Sequence, residues 1–292
     1  MPLAEIGIIG GSGLYEMDGL SDVRSVRVET PFGDPSDEVI LGLLSGRRLA
    51  FLPRHGKGHR LLPSEINFRA NVYALKKLGV ERILSVSAVG SMKEEIAPGH
   101  IVIPDQFVDL TRRRVSTFFG SGVVGHAALG DPVCPETAGV LAESGRAVGA
   151  TVHPKGIYVC IEGPQFSTRA ESNIYRGWGV DVIGMTNVTE AKLAREAEIC
   201  YATIALATDY DCWHEEHDDV TVDAVLKIMK QNVETARRIL AKAVSSLPSS
   251  RGCSCGAALQ NAVMTAPDLI PAQARQDLDL LIGKYLSAPS RA

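Results

Sequence analysis

The sequence lacks the features that identify membrane, secreted and nucleic-acid-binding proteins. None of the apolar runs in its 292 residues approaches the ~20 residues of a membrane-spanning helix, and the start MPLAEIGIIGG has no basic region followed by a long apolar segment. The formal net charge of -4 and the pI near 6.0 give no basic surface for nucleic acid or anionic membranes. We therefore expect a cytoplasmic protein that binds a small molecule, with no nucleic-acid or membrane partner.

The sequence also lacks the cysteine spacing of a simple zinc motif. The six cysteines lie at positions 134, 160, 200, 212, 253 and 255, without a C-x-x-C pair or an accompanying histidine cluster. Four stand in apolar or strand-like segments and are expected to be buried, reduced thiols. Cys253 and Cys255 form CSC in a Gly- and Ser-rich stretch, where they could be exposed and oxidise. No metal site is predicted.

Apolar segments alternate with helical patterns along the whole chain. A hydrophobic content of 45% supplies a large core, and the length suits one large α/β domain or two small ones. Strands are predicted over 6–10, 82–90, 100–109, 156–163, 180–185 and 199–209. Helices are predicted over 64–79, 135–149, 169–179, 188–197 and 220–244, the first of them with Ser64 as its N-cap and Gly79 at its end. The alternation indicates one α/β layer structure with a largely buried sheet.

One linker divides the chain. Pro, Ser and Gly cluster over residues 246–257, so we expect a main domain over 1–245 and a helical tail over 258–292. The tail segment QARQDLDLLIGKYL is too short to fold alone. It is expected to pack on the main domain or on a neighbouring subunit.

Two carboxylates follow the last apolar run, in ATDYDCW at 207–213. If the run is a strand, Asp209 and Asp211 lie on the same face, because side chains alternate with a period of two. Like charge and burial both raise a carboxyl pKa, so at least one of the two could remain protonated. The pair is therefore a candidate proton donor.

Three segments could hold an anion, and the weakest of them is SVSAVGSM, which offers the hydroxyls of Ser85 and Ser87 at the end of a strand. GIIGGSGLY is a Gly-rich turn after a strand, but it fails the G-x-G-x-x-G dinucleotide pattern because Glu16 stands at the last position. It presents the Ser12 hydroxyl, which suits a single phosphate, although such turns are more often structural. LPRHGKGH contains Arg54, whose guanidinium can form two parallel hydrogen bonds to phosphate, and His55, which is a further donor. A solvated charged loop explains LPRHGKGH equally well.

Seven segments together resemble the purine nucleoside phosphorylase superfamily, and within it the 5'-methylthioadenosine phosphorylase branch: GIIGGSGLY, TPFGDPS, PRHGKGHRLLPSEINFRANVYALK, SAVGSMKEEIAPGHIVIPDQFVD, EGPQFSTRAES, GMTNVTEAKLAREAEICYA and ATDYDCW. The resemblance covers about residues 5–245. It implies a single-domain α/β nucleoside phosphorylase fold, a twisted mixed β-sheet flanked by α-helices, assembled as trimers or dimers of trimers. It also implies inorganic phosphate as co-substrate and no metal or organic cofactor.

The resemblance assigns site residues at three places. The phosphate set is Ser12, Arg54, His55, Ser87, Thr186 and the Ala88 backbone. The ribose and base set is Phe166, Ser167, Met185, Asp209 and Asp211, with ordinary core packing as the alternative for Phe166. The methylthio pocket is Val222 and Val225, with His126 lent by a neighbouring subunit.

The implied activity is phosphate-dependent cleavage of 5'-methylthioadenosine, with Asp209 as the acid. Alternatives are a broader purine nucleoside phosphorylase, a methylthioinosine phosphorylase and, more distantly, a dinucleotide-dependent oxidoreductase or a non-catalytic purine sensor. Cys253 and Cys255 match no site position and cannot chelate zinc by themselves. A similar Cys-x-Cys in some thermophilic relatives suggests a disulfide. The sequence leaves open the use of adenosine or inosine, the choice between trimer and hexamer, and the role of the tail.

Overall fold

The computed structural model describes residues 2–214 and 222–286, except the side chains of residues 12, 15, 222–227 and 229. The strands are β1 Ile6–Gly10, β2 Ser21–Val26, β3 Val39–Leu44, β4 Arg47–Pro53, β5 Arg82–Ser91, β6 Ile101–Val102, β7 Gln106–Asp109, β8 Val152–His153, β9 Ile157–Cys160, β10 Val182–Gly184 and β11 Cys200–Asp209. The helices are α1 Phe68–Leu78, α2 Pro135–Ala147, α3 Arg169–Gly177, α4 Asn187–Glu196, α5 Val222–Ser246, α6 Ala272–Asp277 and α7 Asp279–Leu286. Within the described ranges, no helix is long and apolar enough to cross a membrane.

The strands form one mixed sheet, as the sequence predicts. Its order is β2-β3-β4-β1-β5-β10-β9-β7, and β11 pairs with β5 and β6. Strands β1, β4, β5 and β11 run parallel, whereas β10 is antiparallel to β5. The ten-residue strand β5 therefore has three partners: β11 along most of its length, β1 along its first residues and β10 at its end.

Helices cover both faces of the central strands. Leu84 of β5 packs in a cluster with residues of α2 and α5, whereas its neighbour Ile83 packs with residues of α1 and α4. Both faces are apolar because neither meets water, which explains the nearly continuous hydrophobic runs of β5 and β11. The carboxyl ends of the parallel strands are thereby held at one edge of a rigid layer.

Two predicted elements have different bounds in the structure, and four strands were not predicted. Residues 100–109 form two strands, β6 and β7, because Pro104 between them has no N–H for the sheet. Helix α1 begins at Phe68, and its N-cap is Asn67, which accepts a hydrogen bond from the Ala70 N–H; Ser64 instead donates to Glu162. The sequence analysis also missed β2, β3, β4 and β8. The β3–β4 hairpin turns at Ser45 and Gly46, whose φ values of 51° and 75° match a two-residue turn with both φ positive.

The C-terminal tail packs on the body of the same chain. Leu259, Leu278, Leu281 and Ile282 are buried in the cluster that contains α1 and α4. Backbone hydrogen bonds also join the tail to residues 124–126, from His126 N–H to Ala262 C=O and from Met264 N–H to Val124 C=O, both 2.8 Å. The tail thus supports a surface loop as well as the core.

Candidate active site

A cavity of about 610 Å³ lies at the carboxyl ends of the central strands, where α/β sheets usually bind ligands. The residues that line it include ten of those predicted from the sequence, namely Arg54, His55, Ser87, Ala88, Phe166, Ser167, Met185, Thr186, Asp209 and Asp211. Residues that the sequence analysis did not select also line it, among them Leu62, Ile183, Thr208 and Val233. Thr208 could have been found, because it immediately precedes Asp209.

The Arg54 guanidinium is held by a buried network at one end of the cavity. It forms an ion pair with Glu190 of α4, and it donates to Val86 C=O at 2.8 Å and to Ser85 Oγ at 2.6 Å. Burial alone would lower the pKa of Arg54, but Glu190 opposes this and raises the pKa above its usual value. The charge is therefore permanent but already paired. Arg54 can donate its remaining N–H to a ligand, but it has no free pair of parallel N–H groups.

Several uncharged groups around Arg54 complete a site for an anion. Thr186 is the N-cap of α4, and its hydroxyl forms no capping hydrogen bond within the described helix. The N-terminus of α4 carries partial positive charge and unpaired N–H groups. Ser87 and Ala88 at the end of β5, together with Gly11 and Gly13, line the same region. The side chain of Ser12 lies outside the described part of the chain, although its turn borders the cavity.

His55 differs from the sequence prediction in its chemistry. Its Nδ1 is 2.8 Å from Leu61 C=O, so Nδ1 carries the proton and Nε2 has the free lone pair. Burial, reinforced by the Arg54 charge, lowers the pKa of His55 to about 4. The imidazole is therefore neutral near pH 7, and its free nitrogen accepts a hydrogen bond. In this tautomer Nε2 does not donate, so the donor role expected from the sequence stays a prediction.

Asp209 lies beside Gly90 of β5, four residues beyond Val86, whose carbonyl accepts from Arg54, so the carboxyl groups lie at the opposite end of the cavity. They do not reach it through strand alternation. Strand β11 ends at Asp209 after a register shift against β5, and Asp211 follows in a short 3₁₀ turn with φ of 52°. The Asp211 N–H donates to Asp209 Oδ1 at 2.8 Å, which fixes this turn. The expectation that both side chains extend from one strand is therefore wrong, although both reach the cavity.

Both carboxyl groups favour the protonated form more than free aspartate does. Burial raises the pKa of Asp209. Burial and then the Asp209 charge raise the pKa of Asp211. Thr208 Oγ1 donates to Asp209 Oδ2, and Ser172 Oγ donates to Asp211 Oδ2, both at 2.6 Å. This end of the cavity can therefore supply a proton while holding a polar group.

Two loops form the middle of the cavity. The buried Arg114 donates to Met185 C=O and to Glu162 C=O, so it holds both loops together. Gly163 has φ of 66°, and a Cβ there would lie 2.5 Å from Met185 Sδ, so the close approach requires glycine. Phe166 is 61% exposed beside the opening, which contradicts the alternative of core packing. Ser167 Oγ is buried without a hydrogen-bond partner among the described residues, so it is available to a ligand.

The third predicted group is not assembled in one chain. His126 is exposed and is not among the residues that line the cavity. Val222 and Val225 begin helix α5, but their side chains lie outside the described part of the structure. Their assignment to a methylthio pocket stays a prediction.

Comparisons with known proteins agree with this geometry. A family model for the phosphorylase superfamily matches residues 5–245. An S-methyl-5'-thioadenosine phosphorylase from Geobacter sulfurreducens is 63% identical, with 96% of this chain and 99% of that protein covered. One from Koribacter versatilis is 60% identical, with 97% of each chain covered.

Two solved structures are also similar over nearly the full length. A methylthioadenosine phosphorylase sourced from an antarctic soil metagenomic library superposes with a TM-score of 0.91 at 50% identity, over 96% of this chain and 99% of that one. A variant of adenosine/methylthioadenosine phosphorylase from Schistosoma mansoni, in complex with adenine, has a TM-score of 0.85 at 38% identity, over 90% of this chain and all of that one. The mixed α/β fold predicted from the sequence is thus confirmed.

The buried ion pair predicts a large stability effect. Glu190→Gln preserves side-chain shape but leaves the Arg54 charge uncompensated, so the free energy of unfolding should fall by about 3–5 kcal/mol. Urea denaturation followed by circular dichroism measures this change. Glu234→Gln is the matched control, because Glu234 pairs with Arg237 at 2.7 Å but is 64% exposed. Its effect should stay below about 1 kcal/mol. Equal effects of the two changes would contradict the structural role of the buried pair.

Proposed function

Because this chain belongs to the phosphorylase superfamily, we propose that it cleaves 5'-methylthioadenosine with inorganic phosphate, giving adenine and 5-methylthioribose 1-phosphate. The observation that carries the proposal is the polarity of one cavity, which has an anion site at one end and two protonatable carboxyl groups at the other. Relatives at 50–63% identity over 90% or more of the chain are named S-methyl-5'-thioadenosine phosphorylase. The reaction uses phosphate as co-substrate and involves no metal or organic cofactor.

Phosphate binds among Arg54, Ser87, Ala88, Thr186 and the N-terminus of α4. Phosphorolysis passes through a sugar that resembles a cation, and the phosphate dianion stabilises that positive charge before its oxygen attacks the anomeric carbon. His55 Nε2 accepts a hydrogen bond from a protonated phosphate oxygen and so helps to orient the anion. Holding phosphate and sugar in line supplies a further part of the rate enhancement.

Adenine departs at the opposite end of the cavity. The bond between the anomeric carbon and the base nitrogen breaks with its electron pair moving to the base, and Asp209 donates its proton to N7. A carboxyl group performs this step near neutral pH only when its pKa is raised, as burial does here. Asp211 accepts a hydrogen bond from the exocyclic amine. Met185 and Phe166 contact the ribose and the base between the two ends.

The rival functions have weaker support. A dinucleotide-dependent oxidoreductase and a non-catalytic purine sensor find no counterpart among the named relatives. A sensor for a nucleoside would also have no use for the Arg54 and Thr186 anion site. A broader purine nucleoside phosphorylase or a methylthioinosine phosphorylase differs only in the base and in the 5' group. A cytoplasmic location is an expectation from composition.

Replacing the acid should separate proton donation from recognition. Asp209→Asn keeps the shape but removes the proton, so kcat for 5'-methylthioadenosine should fall by ~10²-fold or more. Asp211→Asn, the matched control, should reduce kcat less because its role is to bind the amine. Changing both residues should improve inosine-type relative to adenine-type substrates, since an Asn amide can donate to a 6-oxo group.

The pH dependence provides a second measurement on the same variants. Asp209 must be protonated to act, so kcat should decline as pH rises through its raised pKa. This decline of kcat with rising pH should be absent in Asp209→Asn. Near wild-type release of adenine by a folded Asp209→Asn protein would show that another group is the acid.

We expect an apolar pocket to recognise the 5' substituent of the substrate. Val222 and Val225 are the proposed wall, and one apolar pocket contributes ~1–3 kcal/mol, or about 10–200-fold, to discrimination. We expect kcat/KM at saturating phosphate to favour 5'-methylthioadenosine over adenosine by such a factor. Val225→Thr replaces a methyl group by a hydroxyl at nearly constant shape, so it should lower the ratio of kcat/KM for 5'-methylthioadenosine to kcat/KM for adenosine. Equal kcat/KM values for both substrates in the wild type would remove this assignment.

A trimer or a dimer of trimers is proposed as the active form. His126 is exposed, and the tail holds its loop through the hydrogen bond to Ala262. Exposed apolar side chains on and near this loop, Val124 and Met264, are 50% and 66% accessible in one chain. A neighbouring subunit that covers these two side chains would bring its own cavity close to His126. Sedimentation with activity measured in the same fractions should find turnover only in oligomers; an active monomer would contradict the proposal.

A further inference from the structure

Four cysteines that are distant in sequence meet at one point of the fold. Cys134 is the N-cap of α2, Cys200 is the first residue of β11, and Cys253 and Cys255 lie in the turn that follows α5. Their four sulfur atoms all lie within 4.8 Å of one another, and the Cys200 and Cys253 sulfurs are 3.3 Å apart. The sequence prediction of no metal site rested on spacing along the chain, whereas this cluster forms through topology.

We propose that Cys134, Cys200, Cys253 and Cys255 bind one Zn²⁺ in a closed structural site. Zn–S bonds of about 2.3 Å in a tetrahedron place the sulfurs about 3.8 Å apart, within the range of distances in this cluster. Four thiolates favour zinc over the hard cations Mg²⁺ and Ca²⁺. Binding converts the thiols to thiolates and releases their protons to solvent, so no oxidant or reductant takes part.

The protein around the cluster fixes the ligands in advance. Thr137 Oγ1 donates to Cys134 Sγ at 3.4 Å, which is the kind of outer contact that orients a metal ligand. The loop that carries Cys253 and Cys255 is held by two arginines. Arg82 donates to Ser250 C=O and Arg251 donates to Glu198 C=O, both at 2.8 Å. The loop is thus held by contacts other than those between sulfurs.

Burial and position favour a structural role. Cys134, Cys200 and Cys255 are at most 5% exposed, and four protein ligands leave no position for substrate. Cys200 and Asp209 are the first and last of the ten residues of β11, which places them about 30 Å apart at the usual rise of a strand. The metal would tie the segment after α5 to the start of the central strand. Docking of the tail, including Leu259, depends on that segment.

Metal content tests the proposal directly. The full chain, expressed with added Zn²⁺ and purified under reducing conditions without chelator or histidine tag, should contain one zinc per chain by mass spectrometry. Cys253→Ser combined with Cys255→Ser should lose the zinc. Cys212→Ser is the matched control for zinc content, because Cys212 lies outside the cluster and is only partly buried. It should retain the metal.

Stability provides a second readout. A chelator should lower the Tm of the wild type and of Cys212→Ser but not that of the double variant, which has no metal to lose. At temperatures where the double variant is folded, its kcat and KM should match those of the wild type. This result separates the zinc proposal from the proposed catalytic function, which the Asp209 variants test.

Three results would overturn the proposal. The first is a wild-type chain that has all its thiols free and binds no zinc after equilibration with excess Zn²⁺. The second is a chain whose mass is lower by the four hydrogens that two disulfides remove, with the cluster thiols unreactive. The third is iron in place of zinc. If the double variant does not fold, the wild type is treated with a thiol-specific mercurial, and the zinc that it releases is measured with a chelating dye. Release of one zinc per chain would support the proposal, and release of none would overturn it.

Discussion

The buried ion pair between Arg54 and Glu190 is the contact on which the anion end of the site depends. It joins the residue after β4 to helix α4, and Ser85 and Tyr201 extend it to β5 and β11 by donating to Glu190 at 2.9 Å. An unpaired charge in this position would cost several kcal/mol, so the four elements must meet in one arrangement. That arrangement points the N-terminus of α4 into the cavity. Because Glu190 balances Arg54, the helix N-terminus and the hydroxyl groups would supply much of the remaining attraction for the proposed phosphate.

The acid end is built on the same strands by a different physical effect. Asp209 and Asp211 have no cation paired with them among the described residues, and burial keeps the pKa of each above that of free aspartate. At the other end, the same exclusion of water lowers the pKa of His55 and keeps it neutral. Burial therefore favours a proton donor, Asp209, and a proton acceptor, His55, in one cavity. The rigid sheet between them fixes their separation.

The sequence predicts what depends on local pattern and fails where distant segments meet. The strands β5 and β11 and helix α4 were found because apolar periodicity marks them directly. Asp211 lines the cavity, but not because of strand alternation, which cannot anticipate a register shift and a turn with positive φ. The neutral state of His55 depends on Leu61 and on burial, neither of which the motif encodes. The cysteine cluster is invisible in sequence because its members come from three separate segments.

Strand β11 links the cysteine cluster to the chemistry without making the two interdependent. Cys200 is the first residue of the strand and Asp209 is the last, and all eight residues from Cys200 to Ala207 pair in unbroken register with β5. A change in that register by one residue would move every side chain to the other face, so the strand cannot shift gradually in response to a metal. Loss of the metal would therefore free the segment after α5 while the paired strand kept Asp209 in place. Stability and catalysis can vary separately at the two ends of one strand.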